Sequence, residues 1–147
     1  MTRSRPANVR FYFDADVLGL VKVVVQLRND CTYPGDPGGT VHKRTRPLCV
    51  ITEVATPDEE WIAEVARRDW LIVTRDANIQ AHRAEITAVR ENRARMVALS
   101  GKDATTTWAQ LEVLMIQWRR VEDLTQQAGP FIYSATRTGG LRRVDLD

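Results

Sequence analysis

Two short apolar runs each end at an aspartate and each lead toward a helical pattern, which restricts the chain to a narrow class of folds. Val9-Arg10-Phe11-Tyr12-Phe13 runs into Asp14-Ala15-Asp16, and Trp70-Leu71-Ile72-Val73-Thr74 runs into Arg75-Asp76. β-Branched and aromatic residues dominate both, which predicts buried strands. In an open parallel sheet, ligands bind outside the carboxyl ends of the strands. Asp14, Asp16 and Asp76 are therefore expected to converge on one rim. Close carboxylates repel one another unless a cation or a proton intervenes, so a divalent metal site is the expectation.

The rest of the chain alternates in the same way. Residues 16–28 predict a helix through Val17, Leu18, Leu20, Val21, Val24, Val25 and Leu27, with Asp16 at its cap or first turn. Residues 34–47 carry three prolines and three glycines and predict a long irregular loop. Strands near Cys31-Thr32-Tyr33 and near Leu48-Cys49-Val50-Ile51 are both compatible with the pattern. Thr56-Pro57-Asp58-Glu59 predicts a helix start, with Thr56 as cap, Pro57 in the first helical position and Glu59 reciprocating. A helix over 79–93, a strand over 96–99 and a long helix over 105–127 follow. The long helix places Trp108, Leu111, Leu114, Met115, Trp118, Val121 and Leu124 at core spacing. Phe131-Ile132-Tyr133-Ser134 is the last strand, and Gly139-Gly140 is expected to turn 141–145 back as a hairpin. The predicted fold is α/β, a three-layer α/β/α sandwich around a mainly parallel sheet. Residues 1–147 are expected to form one domain with a flexible stretch at 1–8.

Composition narrows the function. No apolar run approaches the roughly 18 residues of a membrane span, and residues 1–8 are basic without the apolar stretch of a signal peptide. Cys31 and Cys49 have no metal-site spacing and are too few for a disulfide scaffold, so a cytoplasmic protein with reduced thiols is expected. The formal charge of +2 is small, but its distribution is uneven. Glu53, Asp58, Glu59 and Glu60 cluster, whereas Arg83, Arg90, Arg93 and Arg95 surround only two acids. An acidic focus within basic surroundings suits a metal with phosphates around it. No dinucleotide fingerprint, P-loop or nucleophile elbow occurs. His42 and His82 are expected to be surface or structural residues.

Hydrolysis of a phosphodiester needs an activated water and compensation for charge on the leaving oxygen, and one or two hard cations supply both. Three segments together carry a family likeness: Phe13-Asp14-Ala15-Asp16, Pro57-Asp58-Glu59-Glu60-Trp61-Ile62 and Leu71-Ile72-Val73-Thr74-Arg75-Asp76. Over roughly residues 9–100 the chain resembles the PIN-like nuclease superfamily, and within it the VapC-type toxins of toxin–antitoxin pairs. That resemblance implies an endoribonuclease using Mg²⁺ or Mn²⁺. It implies Asp14, Asp58 and Asp76 as catalytic metal ligands, with Asp16 a further ligand, and favours Cys31–Tyr33 as the second strand. Asp36, Glu59, Thr74 and Asn78 become outer-shell candidates, Asn78 standing where PIN domains commonly carry a fourth acid. Arg75, Arg83, Arg90 and Arg93 are the expected RNA contacts. A cognate antitoxin protein is the implied partner, and a homodimer is compatible with the long helix.

Two other readings fit parts of the chain. Asp14-Ala15-Asp16 after an apolar strand resembles the nucleophile and general acid of haloacid dehalogenase-type phosphatases, although Leu18 stands where that signature expects Thr or Val. A PIN-like interaction module without chemistry is the third, and retention of Asp14, Asp58 and Asp76 argues against it.

Overall fold

The computed structural model describes residues 3–75, 82–100 and 104–147. Its main sheet is built from β2 (Phe11–Phe13), β3 (Cys31–Thr32), β6 (Leu71–Arg75), β7 (Arg95–Leu99), β8 (Phe131–Ala135) and β9 (Arg142–Arg143), after β1 (Arg5–Pro6) and with β4 (Gly39–Val41) and β5 (Arg44–Arg46) elsewhere. The spatial order is β3-β2-β6-β7-β8-β9, parallel throughout except for β9, which turns back against β8 as the Gly139-Gly140 pair predicts. Among the described residues four α-helices accompany it: α1 (Leu18–Val24), α2 (Asp58–Arg67), α3 (Arg83–Asn92) and α4 (Thr107–Leu124). A short 3-10 turn over Ala15–Val17 joins β2 to α1.

Side chains alternate across the pleat, and each face has its own core. Phe11, Phe13, Leu71, Val73, Val97 and Phe131 lie with α1 and α4. Tyr12, Ile72, Met96 and Ile132 lie on the opposite face with α2 and α3. Tyr12 stacks with Trp61 at 5.2 Å and with Trp70 at 6.5 Å, so both tryptophans serve the core. The architecture is the expected three-layer sandwich. Burying each of these large side chains contributes about 1.5–3 kcal/mol, which is why both faces of the strands are apolar rather than alternating.

The connections locate the switch point of the sheet. From β2 the chain leaves through α1 on one face toward β3; beyond β6 it continues through α3 on the other face to β7. The carboxyl ends of β2 and β6, which pair Phe11 with Leu71 and Phe13 with Val73, thus flank a topological switch point.

Several expectations are corrected. The stretch 34–47, expected to be irregular, holds the β4–β5 hairpin, whose partner β1 lies within the N-terminal residues expected to be flexible. His42 and Lys43 make its two-residue turn with φ of 50° and 62°. This is the primed geometry that suits a hairpin, but without the Asn-Gly signature that would advertise it. Of the two candidate strands, Cys31–Thr32 joins the sheet, and 48–51 does not. Thr56 does not cap α2, because its hydroxyl turns back to the Glu53 carbonyl at 2.6 Å and the helix begins one residue later with Pro57 in the capping place. Trp108 and Met115 do not join the core; both stand on the outward face of α4. Trp118 does, with its ring 4.9 Å from Phe11 and the Arg28 guanidinium 4.6 Å above it.

Candidate active site

Asp14 is placed by the end of β2. Its backbone N–H still donates to the Val73 carbonyl at 2.9 Å, so the residue is held to β6 although the strand has ended. Its carboxylate caps the 3-10 turn, accepting from the Ala15 N–H at 2.6 Å. Two residues on, Asp16 accepts the Arg75 N–H at 3.2 Å. Between them stands Thr74, buried near the end of β6. Its Oγ1 lies 3.2 Å from Asp14 Oδ2 and 3.1 and 2.9 Å from the two oxygens of Asp16. A hydroxyl has one proton to give. Two carboxylates therefore converge on a single neutral donor.

Electrostatics agree with that geometry. Burial raises the Asp14 pKa above the ordinary carboxylate value, and the Asp58 charge raises it further, while the Ala15 N–H and Thr74 pull the other way. Asp58 starts α2 and is exposed, its Oδ1 accepting the Trp61 indole N–H at 2.9 Å. The opposite end of the sheet provides a contrast. There Asp30 is met by Arg10 and Arg28, each at 2.8 Å. Burial would raise the Asp30 pKa too, but hydrogen bonds from Arg28 and Arg10 outweigh it and hold the group below its usual range. At that end of the sheet Asp30 is neutralised by arginine, whereas at the rim burial dominates and raises the Asp14 pKa.

The other expected residues divide. Glu59 lies exposed in the first turn of α2. Arg75 ends β6 beside Asp16, and Arg83 opens α3. Arg90 and Arg93 lie two to three turns further along that helix; Arg90 donates to the Leu146 carbonyl at 2.8 Å, and Arg93 closes the helix in a left-handed conformation. The structure does not bring these two to the rim. Asp36 is fully buried and spent on structure: Arg46 grips both its oxygens, and Thr32 Oγ1 and the Gly38 N–H each donate at 2.8 Å. With four hydrogen bonds accepted, Asp36, expected as an outer-shell candidate, serves here as a loop clamp. Asp76 and Asn78 lie outside the described residues, Asp76 following Arg75 directly in the chain.

One feature was missed by sequence reasoning. Strand register sets Thr74, Ala98 and Ser134 side by side, and Ser134 Oγ meets Ser100 Oγ at 2.5 Å. Thus the α2–α3 face of the rim carries hydroxyls on either side of Ala98: Thr74 on β6 and the Ser100–Ser134 pair. The signal was the shared register of β6, β7 and β8, which a single strand's pattern does not reveal.

Among the described residues no group of three His, Cys, Asp or Glu side chains stands ready to hold a metal. Asp14 and Asp16 are nevertheless hard oxygen donors converging on one point, and one or two carboxylates completed by water and substrate phosphate is a normal Mg²⁺ environment. The donor set fits such an ion.

A family model described as PIN like domain matches residues 10–101, which is more than half of the chain and includes every segment of this rim from Asp14 through Ser100. No curated protein and no solved structure matches the chain. Nuclease-type function is what this membership suggests at the superfamily level. With its parallel sheet, flanking helices and acidic rim, the chain belongs to the PIN like domain family.

Proposed function

We propose that this protein is a metal-dependent endoribonuclease and the toxin component of a type II toxin–antitoxin pair. The observation that carries the nuclease reading is the convergence of Asp14 and Asp16 on the Thr74 hydroxyl at the switch point of the sheet. Asp14 and Asp16, with Asp58 and Asp76, would hold Mg²⁺ or Mn²⁺. Bound there, the ion supplies Lewis acidity to the phosphate and lowers the pKa of a coordinated water. Thr74 fixes the angle between the two carboxylates, because its own side chain is locked in the sheet. Arg75 and Arg83 attract the RNA backbone, which makes binding weaken as salt rises. The reaction is hydrolysis: a water oxygen bonds to phosphorus, the bond to the 3′ oxygen breaks, and that oxygen takes a proton. The products are a 5′-phosphate and a 3′-hydroxyl.

The test uses purified full-length chain with a structured RNA and Mg²⁺ or Mn²⁺, beside EDTA and the Asp14→Asn and Asp76→Asn variants. A generic aryl phosphate is given to the same samples. Metal-dependent RNA cleavage lost in both variants is the expected result. Intact RNA with hydrolysed aryl phosphate would transfer the assignment to the phosphatase reading of Asp14 and Asp16. Neither activity in a folded protein would leave an interaction module. For the toxin role, induced expression of the native chain should arrest growth and Asp14→Asn should not.

A further inference from the structure

The small sheet β1-β5-β4 has no part in the rim, and its charge is of one sign. Arg3, Arg5, Lys43 and Arg44 are all exposed. None of them enters an ion pair among the described residues, whereas Arg10, Arg28, Arg46, Arg67 and Arg68 each meet a carboxylate. The segments that supply the sheet, residues 1–13 and 37–52, contain no Asp or Glu at all. Register brings two of these cations together, because Arg5 lies beside Arg44 in the parallel β1–β5 pair. Residues in register on neighbouring strands point to the same face, and like charges placed so are destabilising unless an anion lies over both.

The sheet is built to hold that pair in place. On its reverse face the hydroxyls of Ser4, Thr45 and Thr40 join the three strands, at 2.5 and 2.9 Å. The Arg46–Asp36 clamp ties β5 to the segment that follows β3, and the Asn29 side chain donates to the Val41 carbonyl at 3.0 Å. The two arginines are therefore positioned before any ligand arrives, which lowers the cost of binding one. β3 neighbours β2, the strand that leads to Asp14, so this basic sheet stands on the flank one strand away from the candidate active site. Guanidinium forks match the paired oxygens of phosphate, and two further cations beside them suit a ligand whose charge repeats along a chain. A protein partner fits less well, since the three strands offer no aromatic side chain to anchor one.

We propose that the β1-β5-β4 sheet is a binding surface for the phosphate backbone of RNA, with Arg5 and Arg44 at its centre and Arg3 and Lys43 beside them. It rests on the ribonuclease reading of the rim for its choice of polyanion, and it adds that the substrate is a chain long enough to reach from the rim to this flank. Backbone contacts carry no sequence information, so the surface sets affinity and salt dependence. The test measures binding of a labelled single-stranded RNA, several tens of nucleotides long, to the full chain in EDTA over a series of salt concentrations. The proteins are the native chain, Arg5→Gln/Arg44→Gln, Arg5→Lys/Arg44→Lys and, as a control of equal charge on the opposite border, Arg142→Gln/Arg143→Gln. Circular dichroism verifies that each is folded. The Gln pair at Arg5 and Arg44 should flatten the slope of log affinity against log salt by about 1.4 and weaken binding at low salt by about tenfold. The Lys pair should keep the native slope, and the control should change it far less than the Gln pair does. An unchanged slope in the Gln pair, an equal loss in the control, or a native chain that binds no RNA would overturn the proposal. So would polyglutamate binding that the Gln pair abolishes while RNA binding persists, which would give the surface to an acidic protein. RNA held through this surface but never cleaved with Mg²⁺ or Mn²⁺ would refute the nuclease reading alone; cleavage with an unchanged salt slope would refute the surface alone.

Discussion

Removing Arg46 should destabilise this protein far more than removing any exposed arginine. Its guanidinium is almost fully buried and grips both oxygens of Asp36, which is itself wholly excluded from solvent. Arg46→Met keeps much of the volume but strips two charge-assisted hydrogen bonds, each worth about 1.5–3 kcal/mol. It also strands a buried anion, for which the measured cost is about 3–5 kcal/mol. We therefore expect a loss of about 4 kcal/mol, or a Tm fall on the order of 10 °C for a chain of this size. The double variant Asp36→Asn/Arg46→Met should recover a large part, because Asn carries no charge, its amide oxygen can still accept the Gly38 N–H, and its NH2 can donate to the Thr32 hydroxyl. Urea unfolding with far-UV detection, analysed as a two-state transition of constant slope, measures all three proteins. The reasoning is refuted if Arg46→Met lies within about 1 kcal/mol of the native chain, or if the double variant is no more stable than the single one. On the nuclease reading proposed above, the double variant should also retain cleavage, since Asp36 is spent on holding its loop.

Asp14→Asn should stabilise the metal-free protein at pH 7. The Asp14 pKa is raised in the fold, so its stabilising contribution is present below the ordinary carboxylate value and is lost as pH rises through the raised one. An amide removes that loss, and the gain in Tm should disappear on acidification below about pH 4. Mg²⁺ or Mn²⁺ should raise the Tm of the native chain and leave Asp14→Asn unmoved. Thr74→Val removes the shared hydroxyl donor and should cost about 1–3 kcal/mol without metal, with part recovered on adding Mn²⁺, as read by thermal unfolding. Replacing His42-Lys43 by Asn-Gly should stabilise by about 1 kcal/mol, because Asn and Gly accept the positive φ that the turn imposes; unchanged urea midpoints would contradict this.

The layered fold was legible because its strands are short and apolar on both faces, while α1 and α2 carry unambiguous helical spacing. Asp14 and Asp16 were legible for the same reason: an acid ending a buried strand of a parallel sheet has only the rim to occupy. What failed was information that belongs to pairs distant in sequence. Asp36 looked like a rim carboxylate until Arg46, ten residues later, was seen to consume it. The β4–β5 hairpin lacked turn chemistry of its own and is held by register with β1 and by the Asn29 side chain on the Val41 carbonyl. Trp108 and Met115 matched a core period, but the stripe of α4 is broader than the surface it has to cover. Periodicity tells which residues share a side of a helix, not whether that side meets the sheet or the solvent.

β9 has a consequence beyond closing a hairpin. A sheet of five parallel strands ending at β8 would present a row of unsatisfied amides and carbonyls able to recruit any extended chain. The chain instead lays two consecutive exposed arginines, Arg142 and Arg143, along that border. The far border, β3, is only two residues long. Short or cationic margins of this kind resist templated growth into fibrils. The borders of this apolar main sheet thus oppose edge-to-edge addition of one copy to another.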